Sequence, residues 1–75
     1  MRFDLELDAR GLLCPLPVLK AQKHLRGLSS GQILRLQSDD PAAVIDVPHY
    51  CGESGHILDR VDTEGETNTF YIRHK

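Results

Sequence analysis

The chain has no tryptophan, and two phenylalanines with two tyrosines make aromatic residues only 5% of it. Platforms for single-stranded nucleic acid need exposed rings interleaved with basic groups. Here nine Lys and Arg stand against eleven Asp and Glu, for a formal net charge of -2 and no basic stripe. Direct binding of nucleic acid is therefore not expected. Long apolar runs are also missing: none approaches the roughly 20 residues that span a bilayer. The opening "MRFDLELD" alternates charged with apolar residues instead of building the apolar stretch of a secretion signal. A soluble cytoplasmic protein without membrane contact is the expectation. Cys14 and Cys51 are too few for a disulfide scaffold, and in a reducing compartment each starts as a free thiol. Seventy-five residues make one domain, residues 1–75, that buries only roughly 60% of its unfolded surface.

What is present has clear periodicity. Phe3, Leu5 and Leu7 alternate with Arg2, Asp4, Glu6 and Asp8, the pattern of a strand with one buried face. From Pro15 to Arg26, Val18, Ala21, Leu25 and then Leu28 recur at helical spacing, and Gly27 suits a C-terminal cap. Leu34 and Leu36 flank Arg35 in a second strand. Asp39, Asp40 and Pro41 offer helix-start chemistry ahead of a Val44, Val47, Cys51 stripe. Pro48 falls inside that second helix, which predicts a kink or a tightened last turn near Gly52. Residues 56–62 and 67–74 read as antiparallel strands joined by "TEGE". The resulting β-α-β-α-β-β order predicts an α/β two-layer sandwich: a four-stranded mixed sheet with two helices packed on one face.

Within this frame "GLLCPLPVLK" places Cys14 at the start of the first helix. The spacing predicts Cys14 at the N-cap and Pro15 at the first helical position. Pro15 and Pro17 fall where a missing N–H costs no helical bond, and they stiffen the turn carrying the thiol. The positive end of the helix dipole is expected to lower the thiol's pKa, although the two prolines leave Leu16 as the one nearby amide donor. Arg10 and Lys20 are the cations that would add positive potential. C-P-L-P is not the C-x-x-C of a dithiol enzyme, and so small a domain leaves little room for a cysteine-protease cleft. A rigidly presented thiolate suits passage of sulfane sulfur between proteins by thiol exchange.

The stretch "LDARGLLCPLPVLKAQKHL", residues 7–25, resembles the L-D-x-x-G-x-x-C-P-x-P signature and basic helix of the TusA/SirA family of small sulfur-relay proteins. Residues 38–51, "SDDPAAVIDVPHYC", and the closing "FYIRHK" are similar to that family's second helix and last strand. The resemblance implies the same β-α-β-α-β-β sandwich, a persulfide carried on Cys14, and Pro15 and Pro17 as the paired prolines. Leu16 falls at a position filled by Glu in some relatives, which bears on partner choice. It also implies sulfurtransferase activity. The donor would be a cysteine desulfurase or a rhodanese-type protein and the acceptor another sulfurtransferase protein, in tRNA thiolation, molybdenum cofactor synthesis or sulfur oxidation.

The alternative function is a non-catalytic, redox-sensitive interaction or regulatory module. Cys51 continues an apolar stripe and is read first as a core residue, second as a resolving thiol for Cys14. His49, Cys51 and His56 lack a zinc spacing, so no metal and no cofactor is expected. Lys20, Lys23 and Arg26 form either a solvated helix face or a docking surface for acidic partners. A monomer is the default for a carrier that meets successive partners.

Overall fold

The computed structural model describes residues 2–75; Met1, the first letter of the alternating N-terminal stretch, lies outside the described residues. The elements follow the expected order: β1 (Leu5–Asp8), α1 (Leu16–Arg26), β2 (Ile33–Ser38), α2 (Ala43–Ser54), β3 (Ile57–Glu64) and β4 (Thr67–Arg73). They form a four-stranded sheet in the order β1-β2-β4-β3. It is mixed, because β1 runs parallel to β2 while β4 pairs antiparallel with both β2 and β3. This is the two-layer α/β sandwich that the periodicities predict.

The alternation of each strand decides which side chains meet the helices. Leu7, Leu34, Leu36, Phe70 and Ile72 are buried from the sheet, against Ala21 and Leu25 of α1 and Ala43, Val47 and Cys51 of α2. Removing a side chain such as Leu, Ile or Phe from water contributes about 1.5–3 kcal/mol. This layer therefore holds the fold.

Several boundaries move for identifiable reasons. β1 begins at Leu5 rather than Arg2, because the Asp4 carboxylate accepts the Ile33 N–H at 2.8 Å and takes the place of a ladder partner. Phe3 accordingly does not join the buried stripe; it is exposed, with the Arg35 guanidinium 5.5 Å from its ring centre. α2 begins at Ala43, two residues past Pro41, after a tight turn in which the Ala43 N–H bonds the Asp40 carbonyl. The stripe of α2 shifts with it, so that Ala43 is buried and Val44 is 51% exposed. α2 runs through Pro48 to Ser54 and is closed by Gly55, whose φ of 86° is the left-handed cap that glycine adopts at no steric cost. β3 and β4 extend up to Glu64 and Thr67, leaving Gly65 and Glu66 as a two-residue turn. In β3, Leu58 pairs with Ile72 and Arg60 with Tyr71, so Asp59 is an extra residue that bulges the strand.

Candidate functional site

The turn between β1 and α1 carries Cys14, and two consecutive acids fix that turn from across the molecule. Asp39 Oδ1 accepts the Gly11 N–H at 2.9 Å, and Asp40 Oδ2 accepts the Cys14 N–H at 2.6 Å. Asp40 is only 7% exposed; its other oxygen takes the Ala42 N–H at 3.2 Å. One carboxylate thereby ties the cysteine turn to the start of α2. In sequence these acids read as helix-start residues, and the span of α1 and β2 between them and Cys14 hides their second task.

The helix start also differs from expectation. Pro15, not Cys14, occupies the N-cap, with φ −98° and ψ 14°, and the helix proper opens at Leu16 with Pro17 buried at its second position. The Leu16 N–H donates to the Leu13 carbonyl at 2.9 Å, closing a turn ahead of the helix. The one amide expected to face the thiol is thus already occupied. On either side of Cys14 and Pro15 the turn exposes apolar side chains: Leu13 is 69% and Leu16 44% exposed.

Cys14 itself is exposed. Its Sγ–H donates to Asp46 Oδ2 of α2 at 2.9 Å. That contact reverses the expected direction of the thiol's acidity. The hydrogen bond to Asp46, then partial desolvation, then the negative charges of Asp46 and Asp40 push the Cys14 pKa above its ordinary value. A neighbouring anion disfavours a second anion, and here two outweigh the end of a short helix whose first donor is spent. The expected cations do not counter this. Arg10 is held by Asp8, with Nε and Nη2 each 2.9 Å from a carboxylate oxygen, which draws the Asp8 pKa down to about 2. Lys20 is exposed on α1, and the sulfur's hydrogen bond goes to Asp46.

Cys14 lines an open groove of about 410 Å³ between the helices, together with Pro15 at the N-cap of α1, Val18 of α1, and Asp46, His49, Tyr50 and Glu53 of α2. His49 Nε2 and Glu53 Oε1 pair at 2.8 Å along its rim. The four α2 residues fall at i, i+3, i+4 and i+7, one helical face. This periodicity is present in the sequence beside the apolar stripe and groups Asp46 with those three residues.

The remaining candidates disperse. Cys51 is 4% exposed in the core, and burial pushes its thiol up to about 11. Both cysteines are free. His56 sits against His74, ring centres 4.7 Å apart, while His49 pairs with Glu53. Among the described residues no three His, Cys, Asp or Glu side chains are grouped to hold a metal ion, and no helix is long and apolar enough to cross a membrane.

Fold and site define a small α/β domain of the single-thiol type: one cysteine displayed on a turn that leads into two prolines, the other sealed in the core. The family described as Sulfurtransferase TusA matches residues 5–74, and the chain belongs to this TusA family. It is 44% identical over 71 residues to a protein of Allochromatium vinosum named sulfur carrier protein TusA, covering 95% of this chain and 93% of the relative. A protein of the same name from Pseudomonas entomophila is 40% identical over 72 residues, covering 96% and 90%. The crystal structure of a SirA-like protein from Desulfitobacterium hafniense superposes with a TM-score of 0.82 at 21% identity, covering 93% of this chain and 96% of the other, and shares the fold.

Proposed function

We propose that the protein is a sulfur carrier that holds sulfane sulfur as a persulfide on Cys14. The observation that carries this reading is the display of Cys14 on an exposed, doubly clamped turn while Cys51 is shut in the core. In loading, the Cys14 thiolate attacks the outer sulfur of a donor persulfide. A new S–S bond forms, the donor's S–S bond breaks, and the donor leaves as a thiolate, so sulfur moves without net oxidation. In delivery an acceptor thiolate repeats the exchange on Cys14. Burial keeps Cys51 protonated and out of reach of solvent, which protects the persulfide from collapse into an internal disulfide.

The donor is a cysteine desulfurase or rhodanese-type protein and the acceptor a second sulfurtransferase protein, within tRNA thiolation, molybdenum cofactor synthesis or sulfur oxidation. Two free thiols, one exposed and one buried, fit a reducing cytoplasm. Leu13 and Leu16 supply apolar contact beside the reacting atom. The test is mass spectrometry after incubation with a desulfurase and cysteine, or with a rhodanese and thiosulfate. The expected result is a reductant-labile addition of one sulfur to the Cys14 peptide, absent from Cys14→Ser. A freely alkylatable Cys14 that no donor loads would overturn the reading in favour of a non-catalytic interaction module.

A further inference from the structure

A carrier must give up its sulfur as readily as it takes it, and the groups facing Cys14 bear on that balance. From α2 these are Asp46, His49, Tyr50 and Glu53; from the turn before α2, Asp40. On its own side Arg10 is occupied by Asp8, and the groove takes only Pro15 from the N-cap and Val18 from α1. Asp46 alone makes a hydrogen bond to the sulfur, and it does so from a half-buried position on a helix that α1 packs against. The bond is made by a thiol and lost by a thiolate, since a carboxylate accepts and cannot donate.

We propose that Asp46 is a positioning residue that holds the unloaded Cys14 as a shielded, protonated thiol and so biases the exchange toward delivery. This role deepens the carrier reading and rests on it where transfer is concerned. Delivery converts Cys14–S–SH and an acceptor thiol into Cys14–SH and an acceptor persulfide. The acceptor sulfur bonds the outer sulfur, the Cys14 S–S bond breaks, and its electron pair returns to Cys14, which takes the proton the acceptor gave up. The product is the form that bonds Asp46. The same bond slows reaction of the idle carrier with small electrophiles, which attack the thiolate. The pH dependence of the thiol has the matching sign, because Asp46 and Asp40 raise the pH at which it ionises.

The test is the pH profile of Cys14 alkylation by iodoacetamide, read by peptide mass spectrometry on the full chain and on Asp46→Asn, with circular dichroism to confirm folding. Asparagine keeps the shape and removes the charge. The midpoint is expected to fall, with alkylation near neutral pH roughly fivefold faster, the effect of one unit charge about 4 Å away in water-like surroundings. An unchanged midpoint overturns the proposal. Should Asp46→Asn fail to fold, Asp46→Ser gives the same comparison. Equilibration with glutathione persulfide and glutathione is the second readout: the loaded fraction of Cys14 is expected to rise in Asp46→Asn, and an equal loaded fraction refutes the bias. Loading of neither protein counts against the carrier reading alone, because alkylation needs no sulfur donor.

Discussion

Asp40→Ala removes the carboxylate that joins the cysteine turn to the start of α2. Two N–H groups lose their acceptor, those of Cys14 at 2.6 Å and Ala42 at 3.2 Å, in a site where the aspartate is almost entirely buried. A hydrogen bond to a charged acceptor contributes about 1.5–3 kcal/mol, and a buried donor left bare costs about 1–3 kcal/mol. The Cys14 side of the turn is open to water, which re-satisfies part of the loss, so the expected destabilisation is about 2–3 kcal/mol. For a domain of this size each kcal/mol lowers Tm by about 4–8 °C, which predicts a fall of about 10–20 °C by circular dichroism. Amide hydrogen exchange adds a local readout: the Cys14 N–H is protected in the parent and exchanges freely in the variant. Asp39→Ala is the comparison, since that carboxylate holds only the exposed Gly11 N–H at 2.9 Å; it is expected to cost about 0.5–1.5 kcal/mol. A Tm for Asp40→Ala within about 4 °C of the parent, or unchanged protection at Cys14, would refute the clamp.

Other consequences follow from the core and the helix ends. The Cys51 thiol ionises near 9.0 in ordinary surroundings and near 11 when buried, so the unfolded chain releases its proton first as pH rises. Its contribution is therefore constant below about pH 9 and falls away between about 9 and 11 by about 2–3 kcal/mol. Urea unfolding of the parent and Cys51→Ala across that range reads the difference, and parallel curves would contradict the burial argument. Cys51→Ala is also expected to load sulfur as the parent does. Gly55→Ala forces a side chain to φ 86° and brings its Cβ to 3.3 Å from Lys75 Cδ, for a loss of about 1–2 kcal/mol. Gly27→Ala, at a right-handed φ of −85°, is expected to be neutral to slightly stabilising in the same melt.

The fold was legible because it rests on short-range signals. Alternation in "FDLELD", the 3.6-residue recurrence of Ala21 and Leu25, and the Gly65 turn each report on neighbours a few positions apart. Boundaries slipped where a side chain took over a backbone partner, as Asp4 does with Ile33 and Asp40 does with Ala42. The thiol was legible in position and misjudged in acidity for the same reason. Helix-end electrostatics is local and readable, whereas Asp46 lies 32 residues from Cys14 and reaches it only after α2 packs beside α1. Its face on α2 is visible as a spacing of three, four and seven, but nothing in that spacing names the residue it meets.

The sheet's two edges bear on life at high concentration. β1 offers only four residues for pairing, and β3 is broken by the bulge at Asp59 and studded with Arg60 and Asp62. Short, charged or kinked edges resist adding a foreign strand. Neither edge is thus well suited to pairing with the same edge of a second copy, which disfavours edge-to-edge stacking of this chain on itself.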